Sequence, residues 1–133
     1  TSWLSNIGAS NHVTNELENL NIAAEYSGNN KLLMGKREAA TISHFGNSFI
    51  QHPNHSKVYV LKNLLLVPKI SRNLLSVSQF EKDNKVFFEF YPSFCFVKDQ
   101  ETQEVLLKGV LMDGLYHFNL QCLKNEQPQF LSS

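Results

Sequence analysis

Apolar residues along this chain come in short runs bounded by turn-forming residues, and within most runs they alternate with polar ones. "SWLS" at 2–5 predicts a first strand ending at a turn through Gly8. "NELENL" at 15–20 has the spacing of one helical turn, with Glu16 and Glu18 as solvated charges. "KLLMG" and "ATISHFG" predict two strands joined by the polar tip "GKREA", a projecting hairpin. The strongest strand signal is "KVYVLKNLLLV" at 57–67. Near residue 63 its alternation gives way to a continuous apolar run, as in a strand buried on both faces. In "NLLSVSQFEKDN", residues 73–84, Ser76 and Gln79 have the spacing of a capping box, in which each side chain satisfies an orphan backbone amide. That predicts a strand end followed by a short helix from 77 to about 82, anchored by Val77 and Phe80 and stopped at Asp83 and Asn84. "KVFFEF" with "FCFVKD", turning at Tyr91, Pro92 and Ser93, and "EVLLKG" with "GLYHFNL" predict two further hairpins. From Gln121 the pattern fades, so a domain over 1–120 and a polar linker or tail over 121–133 are expected.

Composition narrows this all-β reading without changing it. A chain of 133 residues, 42% hydrophobic and 18% charged, is long enough for one domain with a real core. Its twelve basic and twelve acidic side chains cancel, and no segment concentrates Lys and Arg. A nucleic-acid partner ordinarily leaves a basic footprint, so none is expected. No apolar stretch approaches the ~20 residues of a membrane helix, and no signal-peptide pattern opens the chain. The expectation is an intracellular, cytoplasmic domain with no membrane partner. Cys95, inside the apolar "SFCFV", reads as a small core residue and Cys122 as a separate thiol in a reducing compartment. The sequon Asn54-His55-Ser56 matters only in a secreted protein and is discounted. His44, His52 and His55 have no Cys or carboxylate at ligand spacing, so no metal and no cofactor are expected. His12 is expected to hydrogen-bond within the turn it follows. No Cys lies near a His, and no Gly-rich loop opens a helix, so thiol-protease and phosphate-binding readings lack support.

The order and spacing of "GASNHVT" after a Trp-led strand, "LKNLLLVP", "NLLSVSQF", "VFFEF", "CFVKD" and "DGLY" resemble the protease region of a copia-type LTR retrotransposon polyprotein, over about residues 3–120. The resemblance implies a small closed retropepsin-like β-barrel that dimerises and carries one Asp-Ser/Thr-Gly-Ala motif per chain. It makes the hairpin around 31–45 a flap, with Gly35, Lys36, Arg37 and Glu38 at its tip. "NLLSVSQF" becomes the strand and helix that close the subunit beneath the active-site turn, and the segment after about 85 a copia-type extension. The polar stretch from 121 would then lead toward a zinc-binding pre-integrase segment.

The same resemblance exposes a departure at the chemistry. Aspartic proteases use two carboxylates sharing one proton: one activates a water while the other, protonated, polarises the substrate carbonyl. Gly8, Ala9 and Ser10 match the family turn, but Asn6 stands at the Asp position and Ile7 at the hydroxyl position. An amide has no proton affinity to act as a base, and Ile7 removes the hydroxyl that orients the acid. None of Asp83, Asp99 and Asp113 precedes Ser/Thr-Gly, and Asp113 with Gly114 reads as a turn between strands. The flap also lacks the Gly-Asp/Asn-Gly turn of the family, and Lys36 and Arg37 read as a solvated tip. The expectation is a catalytically inactive pseudoprotease that keeps a homodimer and a cleft for an extended peptide or polyprotein segment, bound by strand addition. The alternative is a protein-interaction scaffold in a domesticated host protein. An active aspartic endopeptidase would need a natural Asp at position 6, or a second chain supplying both acids.

Overall fold

Trp3 and Leu4, both buried, sit on the first strand, β1 (Ser2–Asn6), and that strand lies near the middle of one large sheet. The computed structural model describes residues 1–26, 31–34, 38–123 and 129–130. In chain order the strands are β2 (Val13–Thr14), β3 (Ile22–Glu25), β4 (Lys31–Met34), β5 (Glu38–Thr41), β6 (His44–Gln51), β7 (Tyr59–Leu66) and β8 (Asn73–Ser76). After the helix α1 (Val77–Asn84) come β9 (Val86–Phe90), β10 (Phe94–Asp99), β11 (Val105–Met112), β12 (Leu115–Asn119), β13 (Gln121–Cys122) and β14 (Gln129–Phe130). The hydrogen-bonded order is β14-β3-β6-β7-β2-β8-β1-β12-β11-β10-β9, with β13 also on β6 and β4 paired with β5 apart from it. Among the described residues no ladder joins the two ends of this path.

Two parallel pairings organise the centre. β1 runs parallel to β8, with Asn6 opposite Ser76, and β2 runs parallel to β7. The chain leaving β1 therefore turns through residues 7–12 and re-enters the sheet on the far side of β8. On its other edge β1 pairs antiparallel with β12, placing Trp3 opposite Phe118. The β9–β12 meander thus continues the same sheet as the first strand.

The main core gathers Trp3, Leu61, Leu64, Leu75, Phe80 and Phe118, each at most 1% exposed. A smaller cluster holds Val13, Ala40, Ile42 and Val67, with Leu65 and Leu74 packed against it. This explains the apolar run in β7. Asn63 takes a left-handed conformation (φ 58°), and the ladder to β6 shifts register between Gly46 and Ser48. The bulge resets the alternation, so Leu61 and Leu64 both face the main core while Leu65 serves the smaller one.

Several expected boundaries move. "ATISHFG" is not one strand: β5 ends at Thr41, and Ser43 donates its N–H to Leu66 O at 2.9 Å before β6 begins. α1 extends two residues beyond 82, because Lys85 adopts a left-handed cap (φ 53°) and donates its N–H to Glu81 O. "NELENL" contributes a three-residue 3-10 turn, Leu17–Asn19, with Glu16 and Glu18 exposed as expected. Gln121 and Cys122, at the start of the expected tail, pair with Gln51 and Ile50. Among the described residues no helix is long and apolar enough to cross a membrane.

Candidate active-site turn

The turn after β1 is held from within and from below. The Asn6 Oδ1 accepts the Gly8 N–H at 3.1 Å, an Asx-type closure. From below, Ser76 at the N-terminus of α1 donates its hydroxyl to Ala9 O at 2.7 Å and accepts the Gln79 N–H at 3.2 Å. The Ser76 backbone N–H is taken by His12 Nδ1 at 2.9 Å. One buried serine thereby joins the helix cap to both ends of the turn. Ser76→Ala removes two of these bonds together, and the unfolding free energy is expected to fall by about 2 kcal/mol. Urea unfolding checks this against Ser56→Ala, an exposed hydroxyl away from the turn whose loss changes little.

These contacts correct two sequence readings. The capping box is half-formed: Gln79 Nε2 donates to Asp83 Oδ2 at 2.7 Å, because His12 already occupies the amide that Gln79 would have reached. His12 does not bond within the turn but crosses to α1. Its bond with Ser76 leaves the lone pair on Nδ1 and the proton on Nε2, which is buried without a partner among the described residues. Burial lowers the His12 pKa to about 4, with Asp83 pulling the other way. Protonation at Nδ1 would set a second N–H against that of Ser76.

Above the turn lies a hollow of about 360 Å³ lined by Ser5, Asn6, Ile7, Gly8, Leu74, Gly114, Leu115 and Tyr116. Ile7 projects from the turn at 69% exposure, the highest of any large apolar side chain among the described residues. Leu74 links the hollow to the smaller core cluster, which also receives Ala40 from the hairpin strand β5. Of the expected flap tip, Gly35, Lys36 and Arg37 lie outside the described residues, and Glu38 opens β5, paired with Met34. Ala9 and Ser10 belong to the turn but do not line the hollow, and Ser10 Oγ donates to Asn11 Oδ1.

Sequence reasoning missed the wall built by the β11–β12 turn. Asp113 (φ 53°) and Gly114 (φ 79°) form the tight connection, and β12 pairing with β1 brings Gly114 beside Asn6. The signal was long-range pairing, which no local motif carries. Asp113 itself is exposed and does not line the hollow. Elsewhere, His52 and His55 rings lie 4.7 Å apart, and His52 Nδ1 accepts the Asn54 N–H. Among the described residues no three His, Cys, Asp or Glu side chains gather as a metal site. Both cysteines are free, and burial pushes the Cys95 thiol up to about 11, far from a thiolate nucleophile.

A mostly-β domain whose first strand delivers a clamped turn into an open hollow is the class these elements define. Residues 3–86 match the family model described as Pol polyprotein, beta-barrel domain, and the chain belongs to that family. It is 33% identical over 117 residues to the retrovirus-related Pol polyprotein from transposon RE2 of Arabidopsis thaliana. Against the corresponding polyprotein from transposon RE1 of the same plant it is 34% identical over 117 residues. Each match covers 88% of this chain and 8% of the relative, so the chain spans a small part of the polyproteins it matches. No solved structure matches it.

Proposed function

We propose that this chain is a retropepsin-like domain of a copia-type polyprotein that has lost its hydrolytic chemistry while keeping the scaffold built for it. The observation that carries this reading is Asn6. Its side-chain oxygen takes the Gly8 N–H within a turn that Ser76 fixes to α1, so an amide occupies a position prepared for an acceptor. An amide accepts that bond as a carboxylate would, but it cannot take a proton from water. Two chains meeting at this turn would bring two amides together, where hydrolysis needs two carboxylates sharing a proton.

The exposed Ile7 and the hollow beside it support a homodimer through the turn, with an extended peptide or polyprotein segment lying across the paired hollows. Sedimentation equilibrium of the chain is expected to show a monomer–dimer equilibrium that Ile7→Asp shifts to monomer. A dimer that Ile7→Asp leaves intact would place self-association elsewhere. A chain that remains monomeric at all concentrations would contradict the shared cleft and favour the interaction-scaffold reading.

A further inference from the structure

The outer face of the β9–β12 meander has no part in the reading above, and its chemistry is different. Alternation along β10 turns Cys95 and Val97 into the core and leaves Phe94, Phe96 and Lys98 on the other side. Phe94 and Phe96 stand 5.0 Å apart, and Tyr91 stacks on Phe94 at 4.8 Å and 19°. Lys108, opposite Phe96 on the neighbouring strand β11, holds its Nζ 5.2 Å from the Phe94 ring centroid. Lys98 Nζ lies 5.7 Å from the Phe96 centroid. The carboxylate beside them, Glu89, is already engaged: it pairs with Lys98 at 2.8 Å and accepts the Tyr91 hydroxyl. Lys108 is exposed and has no carboxylate partner among the described residues.

We propose that this face binds single-stranded nucleic acid, with bases stacking on Tyr91, Phe94 and Phe96 and a phosphate taken by Lys108. Aromatic-x-aromatic-Val on an inner strand of an antiparallel sheet is the device by which unrelated sheet modules present rings to two or three bases. Ring faces accept any base, and a flexible ammonium group over those rings can swing to a phosphate as bases arrive.

Other occupants fit this face poorly. A two-fold contact between copies would set the lysines of one chain against those of the other across an apolar patch. Strand addition at the β9 edge is blocked, because Glu81 accepts the outward Phe88 N–H at 2.9 Å. Duplex nucleic acid keeps its bases stacked on each other and offers the rings no face. The neutral charge of the whole chain argues only against phosphate-led binding. With Lys98 paired to Glu89 and Lys108 the cation left for a phosphate, binding is led by stacking and depends weakly on salt.

The test is fluorescence anisotropy of a short labelled oligothymidylate titrated with the full chain near pH 7, over a series of salt concentrations. Saturable binding is expected, weakened about tenfold by Tyr91→Ala, since one stacking platform is lost. Lys108→Ala should also weaken it and lower the slope of log K against log salt by about 0.7, the share of one phosphate contact on a single strand. Both side chains are exposed, so neither change threatens the fold. Absence of saturable binding at low salt overturns the proposal, as does binding that neither substitution alters or that a duplex matches. Self-association abolished by Tyr91→Ala, with no oligonucleotide bound, would assign the face to a second copy and overturn it equally.

Discussion

Replacing Phe80 by alanine is expected to lower the unfolding free energy by about 3–5 kcal/mol, the range for truncating a fully buried aromatic ring. Phe80 projects from α1 with 0% exposure and meets Tyr59 of β7 at 5.5 Å and Phe88 of β9 at 5.8 Å between ring centroids. Through Phe88 the aromatic contacts reach Phe118 of β12, again at 5.8 Å. His12 meets the same ring edge-on at 6.4 Å. The ring thus ties the helix that supports the turn to strands from both halves of the chain, and no single neighbour can relax to fill its place. Urea unfolding followed by circular dichroism gives the loss directly, and thermal melting should shift down by about 10–20 °C. A loss below about 1 kcal/mol would mean that α1 is not docked as described.

Stability is also expected to fall by about 3 kcal/mol between pH 6.5 and pH 4 through His12 alone. The sign follows from the direction of its shift. Folded His12 titrates at about 4, below its ordinary value of 6.5, so the unfolded chain takes up the proton first as the pH drops. The contribution is complete above 6.5, declines through the window, and changes no further below 4. Protonation at Nδ1 would break the bond to the Ser76 N–H, so acid acts where the turn is clamped to the helix. Asp99, held low by the Thr102 and Glu101 backbone amides, loses its contribution only as pH falls below its ordinary carboxylate value, largely outside this window. Unfolding curves across the pH series should therefore diverge between wild type and His12→Gln. The variant starts less stable at neutral pH, and its decline over the window is shallower by about 3 kcal/mol. Parallel curves would show that His12 does not titrate as described.

Local pattern carried much of this architecture and little of its connectivity. The hairpins at "VFFEF"/"CFVKD" and at Asp113 and Gly114 were legible because alternation and turn chemistry agree over a few residues. The helix start at Val77 was legible from Ser76. Its end was not, since a lysine in a left-handed cap has no sequence signature comparable to glycine. The apolar run at 64–66 looked like one doubly buried strand because a bulge at Asn63 imitates such a run when read along a line. At the candidate site the turn itself was visible from Asn6, Ile7 and Gly8. The partners that hold it, Ser76 and His12, are 64 positions apart and meet only because β1 and β8 run in parallel. Gly114 and Tyr116 reached the same hollow through β12, a pairing across more than a hundred residues. Pairings of that range depend on the whole sheet, and no window of sequence contains them.

On the proposed function, the scaffold of the turn survives and the chemistry was lost at two positions, Asn6 and Ile7. Peptidase assays at about pH 5–6, where the loss of stability through His12 is still partial, compare wild type with the double substitution Asn6→Asp, Ile7→Ser. No cleavage is expected from the wild type, and the double variant is expected to cleave in a manner that a pepstatin-like transition-state analogue suppresses. Inhibitor-sensitive cleavage by the wild type would contradict the proposed function, as would a double variant that folds and dimerises yet cuts nothing.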